Sequence, residues 1–164
     1  MDTKPASNRM ESLLALYDMQ TGFFAPAIDG ISDVDSHQRL GTKANHIAWL
    51  AGALVEQRAE MANHLGGSFQ QQAFELFKEN KGIQDNVIYP SLDVYKTDWE
   101  KVSPILRMCF MEVDDAKLDA KFEMPGMSFP WFDMITFTLY REASIIGQIA
   151  LWRRLLNYDA MKYM

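Results

Sequence analysis

The stretch FPWFDMITFTLYREASIIGQIALWRRLLNY, residues 129–158, decides the fold because it is typical of one long helix. Its apolar residues recur every three or four positions, which is the spacing of a single helix face. Arg141 and Glu142 lie on or beside that face, and a buried charge needs a partner of opposite sign. We therefore expect any functional site on the buried face of this helix, with Glu56 or Glu60 as the partner of Arg141.

Three more stretches carry the helical period. They are residues 8–24 after a capping Ser7, residues 43–65 after a capping Thr42, and residues 92–113 after a capping Ser91. Pro104 lies inside the third stretch and predicts a kink or break near Ser103.

The connections between these helices differ in length. Residues 68–90 form a long one with a short helix at about 69–79, which lets the flanking helices run parallel. Residues 114–126 form another, and the last helix is expected to start near Ser128. No strand-like alternation of any length occurs, so the sequence predicts an all-α fold, a four-helix bundle in one domain over residues 1–164.

Composition and charge exclude several classes of partner. The chain has 16 basic and 22 acidic residues and a net charge of −6, which is unfavourable for binding nucleic acid. No segment approaches the roughly 20 apolar residues of a membrane span, and the N-terminus lacks an apolar run of signal-peptide length. The single cysteine, Cys109, excludes an internal disulfide and is interpreted as a buried core thiol. We expect a cytoplasmic protein without a membrane partner.

Short catalytic signatures such as phosphate-binding glycine loops and paired cysteines are absent. None of the three histidines lies four residues from another, and the Glu60–His64 pair is interpreted as solvated. Eleven methionines are many for this length, and five of them flank the last connection: Met108, Met111, Met124, Met127 and Met134. We interpret them as flexible filling of an uneven core, with a pliable apolar pocket as the alternative.

Two segments resemble those of the DinB-like proteins, bacterial four-helix bundles: REASIIGQIALWRRLL at 141–156 and NHIAWLAGALVEQR at 45–58. In that family the last helix reads H-E-A-x-H-x-G-Q-I, and a third histidine follows the I-A-W segment by four residues. The resemblance implies a divalent-metal site at one end of the bundle, and activities such as thiol transfer, hydrolysis or isomerisation.

The metal-binding positions carry other residues in this chain. Ala53, Arg141 and Ile145 stand where the resemblance places the three histidines, whereas Glu142, Gly147, Gln148 and Ile149 match the family pattern. Alanine and isoleucine have no donor atom, and an arginine side chain has no lone pair to offer a metal.

We therefore predict a DinB-like protein that lacks the usual metal and any other cofactor, an interpretation that leans against an enzyme. Arg141 then occupies the former metal position, where it either pairs with a carboxylate or binds a small anionic ligand. The residues expected to line this pocket are Trp49, Ala53, Glu56, Arg141, Ile145 and Gln148.

Two alternatives come from other functional classes. The first is a metal-dependent transferase or hydrolase that uses relocated ligands, drawn from His46, Glu56, Glu60 and His64. The second is an interaction module, and the resemblance also implies a homodimer formed through helix faces.

Overall fold

A computed structural model describes residues 4–163, and these are predominantly helical. The prediction of a mainly α-helical chain is confirmed at that level. The predicted domain of residues 1–164 also includes residues 1–3 and 164, which lie outside the described part. The helices are α1 (Met10–Ile28), α2 (Asp33–Ser36), α3 (Ile47–His64), α4 (Phe74–Phe77), α5 (Leu92–Glu112), α6 (Asp115–Asp119) and α7 (Trp131–Leu155). Among residues 4–163, no helix is long and apolar enough to cross a lipid bilayer.

A small antiparallel hairpin precedes α7, which the sequence interpretation missed. Strand β1 (Lys121–Met124) pairs with β2 (Met127–Pro130), and Pro125 and Gly126 form the turn. Gly126 has a φ of 79°, a conformation that glycine adopts without steric cost. The helix expected near Ser128 therefore begins only at Trp131. Strands of four residues are too short to show a clear period of two.

Three other helical segments also differ from the prediction. Helix α3 is capped by His46 instead of Thr42, since the His46 Nδ1 accepts a 3.0 Å hydrogen bond from the Trp49 N–H. The short helix expected at about 69–79 covers only Phe74–Phe77, followed by a 3₁₀ turn at Lys78–Asn80. Helix α5 continues through Pro104, so of the kink or break predicted near Ser103 the break does not occur, and the kink stays a prediction.

The four long helices pack pairwise around a core. Helix α3 contacts α5 and α7, and α1 contacts the same two helices. One apolar cluster surrounds the first half of α3 and the second half of α7, and another surrounds the opposite ends of these helices. Along α3, Arg58 lies between Val55 of the first cluster and Met61 of the second.

The charged pair at this boundary joins all four long helices. The Arg58 Nε donates to Glu142 Oε2 at 2.9 Å, and Nη2 donates to Oε1 at 2.5 Å. The Arg58 Nη1 donates to the hydroxyls of Thr21 and Ser103, at 2.9 and 2.7 Å. The guanidinium lies 3.5 Å from the centre of the Trp99 ring. Both charged side chains are almost completely buried, at 0% and 1% exposure. This pair therefore links the helices inside the core and is not a solvent-facing site.

Candidate functional site

Two neighbouring cavities open along the seam between α3 and α7. The smaller one, which we name the polar cavity, has a volume of about 140 Å³. Its walls are Trp49, Ala53, Glu56, Gln57, Glu60, Phe77, Asn80, Lys81, Gly82 and Arg141. It therefore has two acidic and two basic side chains in a space that holds only a few water molecules.

The larger one, which we name the apolar cavity, has a volume of about 670 Å³. It extends from the α3–α7 seam to the hairpin, and most of its wall is hydrophobic: Met61, Phe122, Met124, Met127, Phe129, Trp131, Met134 and Phe137. Its remaining walls are Gln57, Glu60, His64, Asn80, Asp133, Thr138 and Arg141. This volume lies within the usual range for small-molecule sites, roughly 300–1,000 Å³.

The two cavities share four lining residues and therefore adjoin. Gln57 and Glu60 come from α3, Asn80 from the 3₁₀ turn, and Arg141 from α7. Gln57 is fixed by a 3.0 Å hydrogen bond from its Nε2 to the carbonyl oxygen of Thr138. We name this shared region the junction.

Arg141 is exposed at the junction, and the expectation that it is a buried member of an ion pair is wrong. Within residues 4–163 its guanidinium makes no ion pair and no hydrogen bond, and neither Glu56 nor Glu60 lies within 4.0 Å as its partner. Consecutive helical residues differ by about 100° around the axis. Because Glu142 faces inward to Arg58, Arg141 is turned towards the seam.

The polar cavity contains buried groups with unused hydrogen-bonding capacity. The Nε1–H of Trp49 and the Oε1 of Gln57 are buried and have no partner among the described residues. Such an unsatisfied group typically costs about 1–3 kcal/mol, unless water or a ligand satisfies it. Because both atoms are buried, an occupant of the cavity would reach them only after a small side-chain movement.

Glu56 is the buried carboxyl group of the polar cavity, with 7% of its surface exposed. Its Oε2 accepts a 2.6 Å hydrogen bond from Gln71 Nε2. Burial raises the pKa of Glu56, the bond from Gln71 opposes this shift, and the charge of Glu60 adds to it. The carboxyl group of Glu56 therefore takes up a proton more readily than a solvated glutamate does.

The structure brings together four of the six residues predicted to line a pocket. Trp49, Ala53, Glu56 and Arg141 line the polar cavity. Ile145 is buried in the adjacent apolar cluster, and Gln148 is exposed on α7 without lining either cavity. That these residues bind a ligand remains a prediction.

The residues at the three positions where the DinB-like resemblance predicts metal-binding histidines do not fit a metal ion. Ala53 and Ile145 present only carbon, and Arg141 is a cation. The relocated set does not converge either, because His46 caps the start of α3 and His64 ends it, on the order of 27 Å away. In residues 4–163, no group of three or more His, Cys, Asp or Glu side chains is arranged to hold a metal.

The apolar cavity was not anticipated in this form. Met124 and Met127 on the hairpin are 45% and 58% exposed and line the cavity, so their interpretation as core filling is wrong. Met108 is also exposed, at 59%, but lies elsewhere on α5. Phe122 fixes the hairpin by packing edge-on against Trp131, with ring centres 4.7 Å apart. The clustering of methionines was the one sequence signal for this wall.

Comparison with known proteins gives no match for this chain to a family model, a curated protein or a solved structure. The assignment of a function therefore depends on the residues and geometry of the site itself.

Proposed function

We propose that this protein is a DinB-like four-helix bundle that has lost the metal site of its relatives and binds a small anionic ligand at Arg141. The pairwise packing of α1, α3, α5 and α7 supports the bundle architecture. The family pattern in α7 and the loss of donor atoms at Ala53 and Ile145 support the second part.

The observation that carries this proposal is the guanidinium of Arg141, which has no partner among residues 4–163 and lies at the junction of two cavities. Arginine presents a rigid fork of donors that matches the two oxygens of a carboxylate. The buried and unpartnered Trp49 Nε1–H lies in the wall of the same polar cavity. A ligand carboxylate would therefore meet an accessible cation that has no competing partner among the described residues.

The proposed role is binding, with no catalytic residue assigned. The one cysteine is a poor nucleophile, because Cys109 is buried and its burial raises the pKa of the thiol. Cys109 also lies outside the walls of both cavities. The site therefore lacks an activated thiol as well as a metal-binding set.

Titration of acetate into ¹⁵N-labelled protein tests this function. We expect the indole N–H resonance of Trp49 and the Nε–H resonance of Arg141 to shift with acetate concentration. Arg141→Gln removes the cation and should abolish the Trp49 shift. Arg154→Gln is the matched control, since Arg154 is exposed on the same helix and lines neither cavity. Equal Trp49 shifts in Arg141→Gln and the unchanged protein would refute the proposal.

A second candidate role, homodimer formation, is supported by three exposed apolar side chains on α7. Tyr140, Leu151 and Leu155 are 69%, 59% and 53% exposed and lie on one side of the helix. Sedimentation over a wide concentration range tests this prediction. A dimer that dissociates in Leu151→Glu supports it, and a monomer at all concentrations contradicts it.

A further inference from the structure

The junction carries both a negative and a positive side chain, which restricts the charged groups that a ligand can place there. Glu60 on α3 and Arg141 on α7 border both cavities, yet they make no ion pair with each other. Glu56 and Lys81 add one more charge of each sign in the polar cavity. The facing helices thus present a separated anion and cation to the same space.

A ligand of one sign should bind more weakly at this junction than a ligand that carries both charges. A simple anion attracted by Arg141 would be repelled by Glu60, and a simple cation attracted by Glu60 would be repelled by Arg141. A ligand that carries an ammonium group beside a carboxylate can satisfy both residues at once. The polar cavity, at about 140 Å³, has room for a compact head group of this kind.

The adjoining apolar cavity then indicates what such a head group carries. At about 670 Å³ it is several times larger than the polar cavity, and Glu60 and Arg141 line both cavities. Two of its wall residues, Met124 and Met127, have unbranched and adaptable side chains that accommodate apolar groups of varied shape. An apolar substituent of the ligand would lie between these methionines and α7.

We propose that the site binds an α-amino acid with a long apolar side chain, its carboxylate on Arg141, its ammonium on Glu60 and its side chain in the apolar cavity. This inference rests on the proposed function, because it requires the anionic group to bind at Arg141. It adds a second charge contact and a defined place for the rest of the ligand.

Isothermal titration calorimetry with matched ligands tests the proposal. 2-Aminooctanoate carries both charges, octanoate only the carboxylate, and octylamine only the ammonium group. We expect 2-aminooctanoate to bind tightest, and Arg141→Gln and Glu60→Gln each to weaken it by about tenfold or more. Arg154→Gln and Glu11→Gln, which change exposed residues outside both cavities, should leave the affinity unchanged.

A second comparison tests the apolar part of the ligand. Alanine has the same head group, and its side chain is shorter by five methylene groups, so its affinity should be about a thousandfold lower if all five are buried in the complex. Met127→Glu places a charge in the apolar cavity and should weaken 2-aminooctanoate. Met108→Glu is the matched control, because Met108 is 59% exposed against 58% for Met127 and lines neither cavity.

The outcomes separate the two levels of the argument. If octanoate binds as tightly as 2-aminooctanoate, and only Arg141→Gln weakens it, the amino-acid proposal is overturned and the anion site stands. If 2-aminooctanoate binds no tighter than alanine, or Met127→Glu has no effect, the assigned place of the side chain is overturned. If Arg141→Gln changes no affinity, or none of the ligands binds, both the proposed function and this inference are overturned.

Discussion

Replacing Glu142 with glutamine should strongly destabilise the protein, because it leaves the buried Arg58 charge without a carboxylate. The substitution keeps the shape of the side chain but removes the charge that receives two donor atoms of Arg58. The hydroxyls of Thr21 and Ser103 remain as neutral acceptors. Breaking one side of a buried pair typically costs about 3–5 kcal/mol, which is a large part of the 5–15 kcal/mol that stabilises an ordinary domain.

Urea unfolding followed by circular dichroism measures this loss, and the chain offers a closely matched control. Arg107 forms a similar two-pronged pair with Asp18, at 2.8 and 2.9 Å, but these side chains are 47% and 44% exposed. Asp18→Asn should therefore cost at most about 1 kcal/mol. If Glu142→Gln costs no more than Asp18→Asn, burial does not govern the strength of these pairs and the reasoning fails.

The double variant Arg58→Met, Glu142→Leu gives an independent check on the same pair. It removes both charges and should be more stable than Glu142→Gln, since no charge remains buried without a partner. A double variant that loses as much stability as Arg58→Met and Glu142→Leu lose in sum would contradict this account.

Two further predictions concern α3. Burial lowers the pKa of His46 to about 4, so unfolding becomes easier as the pH falls from about 6.5 to 4, where only the unfolded chain gains the proton. His46→Asn keeps a capping side chain, and urea unfolding at several pH values should show that its free energy of unfolding depends less on pH. An unchanged pH dependence in His46→Asn, or the same reduction in the control His64→Asn, would contradict this prediction. Gly52→Ala should cost about 1–3 kcal/mol in thermal unfolding, because its Cβ would lie 2.2 Å from the Phe77 ring. In Gly147→Ala the added Cβ meets nothing within 4 Å, so this control should be neutral or more stable by up to about 1 kcal/mol. An equal loss of stability in Gly52→Ala and Gly147→Ala would show that crowding is not the cause.

The long helices were predictable from the sequence because their apolar residues repeat over many turns. Their ends were less predictable, since a cap depends on one local hydrogen bond. Thr42 and His46 are both able to accept such a bond, and only the folded chain selects His46. The hairpin was missed because the Pro125-Gly126 turn signal was interpreted as part of an irregular connection.

The candidate site was partly predictable from the sequence. What the sequence did not show was the direction in which the charged side chains of α7 point. The apolar stripe on α7 indicated that Arg141 and Glu142 lie on or beside its buried face, but helical spacing alone did not show which of the two faces inward. Glu142 is the residue that faces inward, because it pairs with Arg58 on α3. Arg58 lies in the mostly apolar run AGALVEQRA, and the sequence interpretation gave it no role. A buried arginine in such a run is a signal that a carboxylate on another helix must meet it.

A crystal structure of the protein soaked with 2-aminooctanoate tests the central claim most directly, because it shows which atoms receive the ligand. The account predicts the ligand carboxylate within hydrogen-bond distance of the Arg141 guanidinium, with the ammonium group at Glu60 and the hydrocarbon chain beside Met127. A ligand carboxylate bound elsewhere, with the Arg141 side chain directed away from both cavities, would contradict it.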